Sequence, residues 1–197
     1  MPQVYKPGFL QVIYGPMKSG KTESFVRIFD EVRYSSHKWV VFQPSVNTRE
    51  AEVRSRISNI SLPTIIIDEN NPETILEHIT EEDQIVGFDE AQFFDVSLYN
   101  IVDKLLSMNK HVIVSGLLLD FRAQPFGPMP WIVGRANNSI RLTAICEVEG
   151  CNRKATRTQR LIDGKPASFN SPIVLIEGTG NEKYEPRCVY HHKVPLD

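Results

Sequence analysis

Cysteine is scarce: the 197 residues hold three, an odd number that cannot pair fully within one chain. That count argues against a disulfide scaffold and fits a reducing compartment. Long hydrophobic runs are missing as well, since no apolar stretch approaches the roughly 18 residues needed to span a bilayer. The first residues, Met1 to Gly8, lack the basic-then-apolar order of a secretory leader. The expectation is a soluble, cytoplasmic protein with no membrane partner. Charge of one sign is not in excess either: 22 basic and 24 acidic residues leave a formal net charge of −2. This balance argues against a generic polyanion binder, and no nucleic-acid partner is expected.

What is present suits an ordinary globular fold. Hydrophobic residues make up 41% and charged residues 23% of the chain, which argues against disorder. A chain of this size buries roughly 70% of the surface its unfolded form exposes, so it needs no metal merely to have a core. Charge is unevenly placed: residues 1–149 hold 14 basic and 19 acidic side chains, and residues 150–197 hold 8 and 5. All three cysteines follow position 145. Both shifts predict a boundary there, with an α/β unit over 1–144 and a smaller unit over 145–197.

In the first unit, short apolar runs alternate with helix-like segments. Phe9–Tyr14, Trp39–Phe42, Ile85–Phe88 and His111–Val114 each end at a glycine or polar residue, as strands buried on both faces do. Phe25, Ile28, Phe29 and Val32 recur at helical spacing after the first run, and Val96, Tyr99, Val102 and Leu106 do so before the fourth. The pattern predicts βαβ units and a parallel sheet flanked by helices, with ligands at the carboxyl ends of the strands. The last 50 or so residues have turn signals at Asp163-Gly164 and Gly178-Thr179-Gly180 around one apolar run, Ile173–Ile176. That is too little apolar material for an independent core.

Gly15-Pro16-Met17-Lys18-Ser19-Gly20-Lys21-Thr22 matches G-x-x-x-x-G-K-[ST] between a predicted strand and a predicted helix. Glycines let backbone N–H groups curl around a phosphate, and the helix N-terminus adds its positive dipole end. Lys21 would neutralise terminal phosphates, and the Thr22 hydroxyl would hold Mg²⁺. The run Ile85–Phe88 ends in Asp89-Glu90. One of these carboxylates would face the metal and the other would serve as general base. Spacing alone does not divide the two roles, and a plain helix-capping role is the alternative for both.

Cys146-x4-Cys151 and Cys188-x2-His191 offer three thiolates and an imidazole from two segments separated by 36 residues. Zn²⁺ takes such a set in a tetrahedron, and a closed site of four ligands is structural. Buried, unliganded cysteines are the alternative, and His192 competes with His191 for the fourth place. His37, His78 and His111 adjoin no motif and are expected to be surface or packing residues.

Taken in order, the loop Gly15–Thr22, then Asp89-Glu90-Ala91-Gln92-Phe93-Phe94, Gly116-Leu117, Asp120-Phe121-Arg122, Pro125-Phe126-Gly127 and the cysteine-bearing tail resemble the thymidine kinase family of the zinc-containing, cytosolic type. The resemblance runs from about residue 9 to residue 192. It implies a phosphate-loop fold with a zinc-stapled lasso segment, and transfer of the γ-phosphoryl of ATP to the 5′-hydroxyl of thymidine, with deoxyuridine as a second acceptor. It assigns the base to Glu90, and places ATP with its Mg²⁺ on the whole loop together with Asp89 and Gln92.

Met17, Phe93, Leu117, Phe121 and Phe126 are implied around the thymine, with Phe94 left as core. Thr158, Val174, Ile176 and Tyr184 are implied on the lasso side, with Arg160 beside Thr158 at the start of that loop. The family's C-x-x-[CH] spacing favours His191 as fourth ligand. The family's Asp-x-Arg after the second strand reads Asn47-Thr48-Arg49 here, which retains Arg49 for transferred charge but no carboxylate for a cation. Lys18 stands where an apolar residue is common, and a solvated side chain is expected there. The resemblance further implies a homotetramer and feedback inhibition by dTTP. A nucleic-acid-stimulated ATPase and a zinc ribbon that binds nucleic acid are the rivals, opposed by the lack of a basic face and by the scarcity of stacking aromatics between 151 and 187.

Overall fold

A computed structural model describes residues 5–47, 52–54, 61–173 and 181–196. Arg49, Val174 and Ile176 lie outside the described residues. Strands β1 (Phe9–Tyr14), β2 (Lys38–Pro44), β3 (Ile65–Ile67), β4 (Asp83–Phe88), β5 (His111–Gly116) and β6 (Asn138–Arg141) form one sheet. Their order is β3-β2-β4-β5-β1-β6, and every pairing is parallel. All four predicted strands are present. The two edge strands were not anticipated.

The central strands are buried on both faces because successive residues of each run are nearly all apolar and point to opposite sides of the sheet. Leu10, Val12, Phe42, Val86, Phe88, Val112 and Val114 face one side, where α2 (Leu98–Ser107) and α3 (Met129–Arg135) pack. Ile13, Val41, Ile85 and Ile113 face the other, under α1 (Lys21–Val32) and a short ladder of Glu52–Arg54 with Ser61–Pro63. Helix α1 contributes Phe25, Val26, Phe29 and Val32, with Phe25 and Phe29 rings 4.9 Å apart. A Cβ at Gly87 would lie 2.5 Å from Phe29 and 2.9 Å from Phe25, so glycine in β4 is what lets this aromatic pair rest on the sheet. In α2 the buried stripe is Leu98, Ile101, Val102 and Leu105. The helix starts at Leu98, which leaves Val96 exposed ahead of it and places Tyr99 and Leu106 at the margins of the core.

The chain after β1 runs to one face, while the chains after β4 and β5 run to the other. Loops that diverge in this way leave a crevice at the carboxyl edge of the sheet, where ligands of such folds bind. Beyond Arg141 the pairing turns antiparallel. Ala144–Ile145 pairs with Lys154–Ala155, and β7 (Arg157–Ile162), β8 (Lys165–Pro166) and β9 (Glu182–Arg187) form a sheet in the order β8-β7-β9. Asp163 and Gly164 join β7 to β8 with φ of 49° and 77°, the two left-handed residues of a type I′ turn. The apolar cluster of this part is small: Cys146, Ala155 and Cys188, with Ala144, Val148 and Cys151 against them.

Candidate active site

The glycine loop leaves β1 at Gly15 and enters α1 at Lys21. Its turn requires two left-handed residues, Lys18 with φ 59° and Gly20 with φ 84°. Gly15 is tightly enclosed: a Cβ there would lie 2.5 Å from the Leu142 carbonyl oxygen and 2.7 Å from Ser19 Oγ. Lys21 is buried and its Nζ donates across the loop to the Pro16 carbonyl oxygen at 3.0 Å. Burial lowers its pKa, against the carboxylates of Glu90 and Asp89, which raise it. Ser19 Oγ is enclosed with no hydrogen-bond partner among the described residues. Thr22 lies partly buried in the first turn of α1. An enclosed ammonium, an unsatisfied hydroxyl and a helix N-terminus are suited to an anion that completes them.

Asp89 and Glu90 follow β4 directly. The Asp89 N–H donates to the Phe42 carbonyl oxygen at 3.1 Å, which holds the strand end against β2. The Asp89 carboxyl is almost wholly buried, and Oδ1 has no hydrogen-bond partner among the described residues. Burial, and then the charge of Glu90, push its pKa up to about 7, with Ser115 and Lys21 acting in the opposite direction. Such a carboxyl is unstable as an isolated anion and becomes stable when a cation joins it.

Glu90 adopts φ 50° and ψ 38°, a left-handed conformation that turns the chain out of the strand. Gln92 Nε2 donates to Glu90 Oε2 at 2.6 Å, and Gln92 Oε1 accepts the Leu117 N–H at 2.8 Å. Gln92, expected among the nucleotide ligands, is buried with its amide engaged on both sides. Phe94 is core as expected. Phe93 remains partly exposed and meets Phe126 edge to face, with ring centroids 5.5 Å apart.

The segment after β5 doubles back, with Leu119 bridging to Pro125 and the Phe126 N–H donating to the Leu118 carbonyl oxygen. Asp120 holds the turn: Oδ1 accepts from the N–H groups of Arg122 and Gln124, and Oδ2 accepts from Arg122 Nε at 2.9 Å. Gly127 has φ 50°, and a Cβ there would come within 2.2 Å of the Gln92 carbonyl oxygen. The hairpin is therefore seated directly on the Asp89–Phe94 segment. A small cleft opens where loop, hairpin and β7 meet, lined in part by Gly15, Pro16, Leu118, Leu119, Arg157 and Thr158.

Two contacts bind the glycine loop to the C-terminal part. The Met17 N–H donates to Thr158 Oγ1 at 3.1 Å, and Lys18 Nζ pairs with Glu147 at 2.8 Å. Lys18, expected to be solvated, is thus exposed but paired. Its partner was missed, although Glu147 follows Cys146 directly in sequence. Tyr184 is half-buried on β9 opposite Arg160.

The Sγ and ring-nitrogen atoms of Cys146, Cys151, Cys188 and His191 all lie within 4.8 Å of one another. His191 Nδ1 is 3.5 Å from Sγ of both Cys146 and Cys188. His192 points elsewhere, its Nε2 donating to the Phe121 carbonyl oxygen at 2.8 Å. Burial resists ionisation of Cys146, but N–H groups of Cys188 and Val148 aimed at it, with His191 and Cys151, hold its thiol down at about 6. Three sulfurs and one imidazole nitrogen converging on one point match the donor set and number that a tetrahedral Zn²⁺ takes. Of the other histidines, His37 meets Gln84 and the Tyr5 ring, His78 lies by Phe42, and His111 is buried against Phe9.

These features define a mixed α/β protein of the parallel-sheet class, with a glycine loop and paired carboxylates at the carboxyl edge and a cluster of three cysteines and a histidine in the C-terminal part. A family model described as "Thymidine kinase" matches residues 8–192. Curated relatives named "Thymidine kinase" from Onion yellows phytoplasma (strain OY-M) and Aster yellows witches'-broom phytoplasma (strain AYWB) are each 44% identical over 188 residues, covering 94% of this chain and 87% of the relative. The chain belongs to the thymidine kinase family.

Proposed function

We propose that the protein transfers the γ-phosphoryl group of ATP to the 5′-hydroxyl of thymidine, giving dTMP and ADP, with Glu90 as general base. The observation that carries this reading is the placement of Glu90, turned out of the strand end and oriented by Gln92, within electrostatic reach of Lys21. The kinase activity itself is supported by family membership and by the relatives' names. In the reaction Glu90 takes the 5′-hydroxyl proton as the sugar oxygen bonds to the γ-phosphorus, and the bond to the β,γ-bridging oxygen breaks. Lys21 and the backbone N–H groups of residues 18–22 neutralise phosphate charge without reorganising. Thr22 and Asp89 would hold Mg²⁺, and the orphaned, buried Asp89 Oδ1 fits that group. When bound, Mg²⁺ supplies charge neutralisation at the phosphates.

The thymine would lie among Phe93, Phe126, Leu117, Met17 and Phe121, with Thr158, Tyr184, Val174 and Ile176 on the lasso side and Arg49 toward the transferred group. Deoxyuridine is a second acceptor and dTTP an inhibitor that fills both subsites. Cys146, Cys151, Cys188 and His191 hold a structural Zn²⁺ that staples together the two segments of the 145–197 unit that carry them. A cytoplasmic homotetramer with small-molecule partners and no nucleic-acid partner completes the proposal.

Transfer from γ-labelled ATP with Mg²⁺ tests it, offering thymidine, deoxycytidine, deoxyadenosine and no acceptor in parallel. Label on thymidine alone supports both reaction and pocket. Free phosphate released equally in every tube overturns the acceptor assignment and favours an ATPase.

A further inference from the structure

Arg160 is the largest fully enclosed side chain in the described structure, at 0% exposure in the middle of β7. A guanidinium has no acceptor capacity and stays charged, so burying it is costly unless partners surround it. Nη2 pairs with Glu182 Oε1 at 2.7 Å, and Nη1 donates to the Pro172 carbonyl oxygen. Its planar group also lies over the Phe121 ring, 5.3 Å from the centroid. Phe121 is held from other directions too: the Arg122 guanidinium lies 5.9 Å from its centroid, and its carbonyl oxygen accepts from His192 Nε2. Arg122 is itself fixed by Asp120 and covers Phe169.

Two residues earlier, on the same face of β7, Thr158 accepts the Met17 N–H of the glycine loop at 3.1 Å. One strand therefore touches the donor-side loop through Thr158 and the acceptor-side hairpin through Arg160. Replacing a buried ion pair by apolar groups of similar volume is often neutral or stabilising, so stability alone is a weak reason to retain this one. Orientation is a stronger reason. A guanidinium fixes a plane, and that plane sets where Phe121 and its hairpin stand relative to the loop.

We infer that Arg160 is a positioning residue for the acceptor: anchored by Glu182, it holds Phe121 in register with Thr158 and so with the glycine loop. The inference rests on the proposed placement of Phe121 in the acceptor pocket. A displacement of about 1 Å in a positioned group costs up to about 100-fold in rate, and the wall displaced here faces only one substrate.

The test compares Arg160→Met, Arg160→Lys, Glu182→Gln and Phe121→Leu in full-length protein, reading thymidine KM, ATP KM, kcat and thermal midpoint. Folded Arg160→Met is expected to raise thymidine KM about 10- to 100-fold while ATP KM stays within about twofold. Arg160→Lys restores part of the loss, since it keeps the charge toward Glu182 but not the plane over Phe121. Glu182→Gln moves thymidine KM in the same direction by less, and it carries the test if Arg160→Met does not fold. Equal rises in both KM values that track a lowered midpoint would mean general loosening and overturn the inference. So would Arg160 and Glu182 variants that leave thymidine KM unchanged while Phe121→Leu raises it. If Phe121→Leu is silent as well, the pocket assignment itself falls.

Discussion

Gln92 fixes Glu90 by a route that leaves its amide one orientation. The Leu117 N–H donates to Gln92 Oε1 at 2.8 Å, so the other end of the amide, Nε2, must face Glu90, which it meets at 2.6 Å. The end of β5 thereby sets the direction of a carboxylate at the end of β4. With one Glu90 oxygen held by Nε2, the other remains for a proton acceptor's role.

Two substitutions separate base from orienter. Glu90→Gln should lower kcat by about 10²- to 10⁴-fold while ATP and thymidine still bind, since it removes the proton acceptor and keeps the shape. Gln92→Leu should lower kcat by about tenfold with ATP KM little changed, because the base remains but is no longer held. Steady-state kinetics with calorimetric binding check both. Near wild-type turnover in Glu90→Gln would remove the base assignment.

Asp89 makes stability depend on pH. Its folded pKa, pushed up to about 7, lies above the ordinary carboxylate value of 3.8, because burial and the charge of Glu90 disfavour the anion. A carboxyl raised in this way binds more protons folded than unfolded. Its stabilising contribution is full below pH about 4 and is lost as pH rises through about 7. Asp89→Asn, neutral at every pH, should therefore raise the thermal midpoint of ligand-free protein at pH 8 by on the order of 3 °C and change it little at pH 4. Thermal denaturation at the two pH values checks this. A lower midpoint at pH 8 would mean that the anion is already stabilised within the fold.

The central strands and the glycine loop were legible because burial on both faces and a special backbone turn leave local marks. The Val- and Ile-rich runs of β1, β2, β4 and β5 could be read directly, as could the loop between β1 and α1. Strand β6, Asn138-Ser139-Ile140-Arg141, was not readable, because an edge strand with exposed side chains carries no apolar pattern. The α2 stripe was displaced because helical spacing admits two neighbouring sets of apolar residues and only the true start, Leu98, selects between them. The carboxylates, aromatics and zinc-type ligands were named in advance through motifs. Partners from distant segments, such as Glu147 for Lys18 and the Leu117 N–H for Gln92, leave no spacing to read, because only folding brings them together.

Gly87 offers a test of the sheet that leaves the site alone. Adding a methyl at Gly87 would press on the Phe29 and Phe25 rings at 2.5 and 2.9 Å. Both belong to a packed cluster with Val26, Val41 and Ile85. Gly87→Ala should destabilise the protein by about 1–3 kcal/mol, the usual range for overpacking, less the gain from a less flexible unfolded chain. Urea denaturation measures this. Unchanged stability would show that α1 shifts freely on the sheet.

Metal removal should act on one part of the molecule. The parallel sheet has its own apolar clusters on both faces, whereas among the described residues the part beyond Arg141 has the small group around Cys146, Ala155 and Cys188. Purified protein should contain about one zinc per chain, as expected for a closed four-ligand site. Cys188→Ser, or extraction by a chelator, should abolish that stoichiometry and open the segment after Ala144 to protease. The helical circular dichroism, which comes mainly from α1 and α2, should be largely retained. Loss of the metal should also weaken the Met17–Thr158 and Lys18–Glu147 contacts, since Thr158 and Glu147 both belong to the released part. ATP KM should then rise although no ligand of the nucleotide has been changed. A metal-free protein with an intact C-terminal part would defeat the four-ligand proposal, and a cooperative loss of all secondary structure would show that the two parts fold as one.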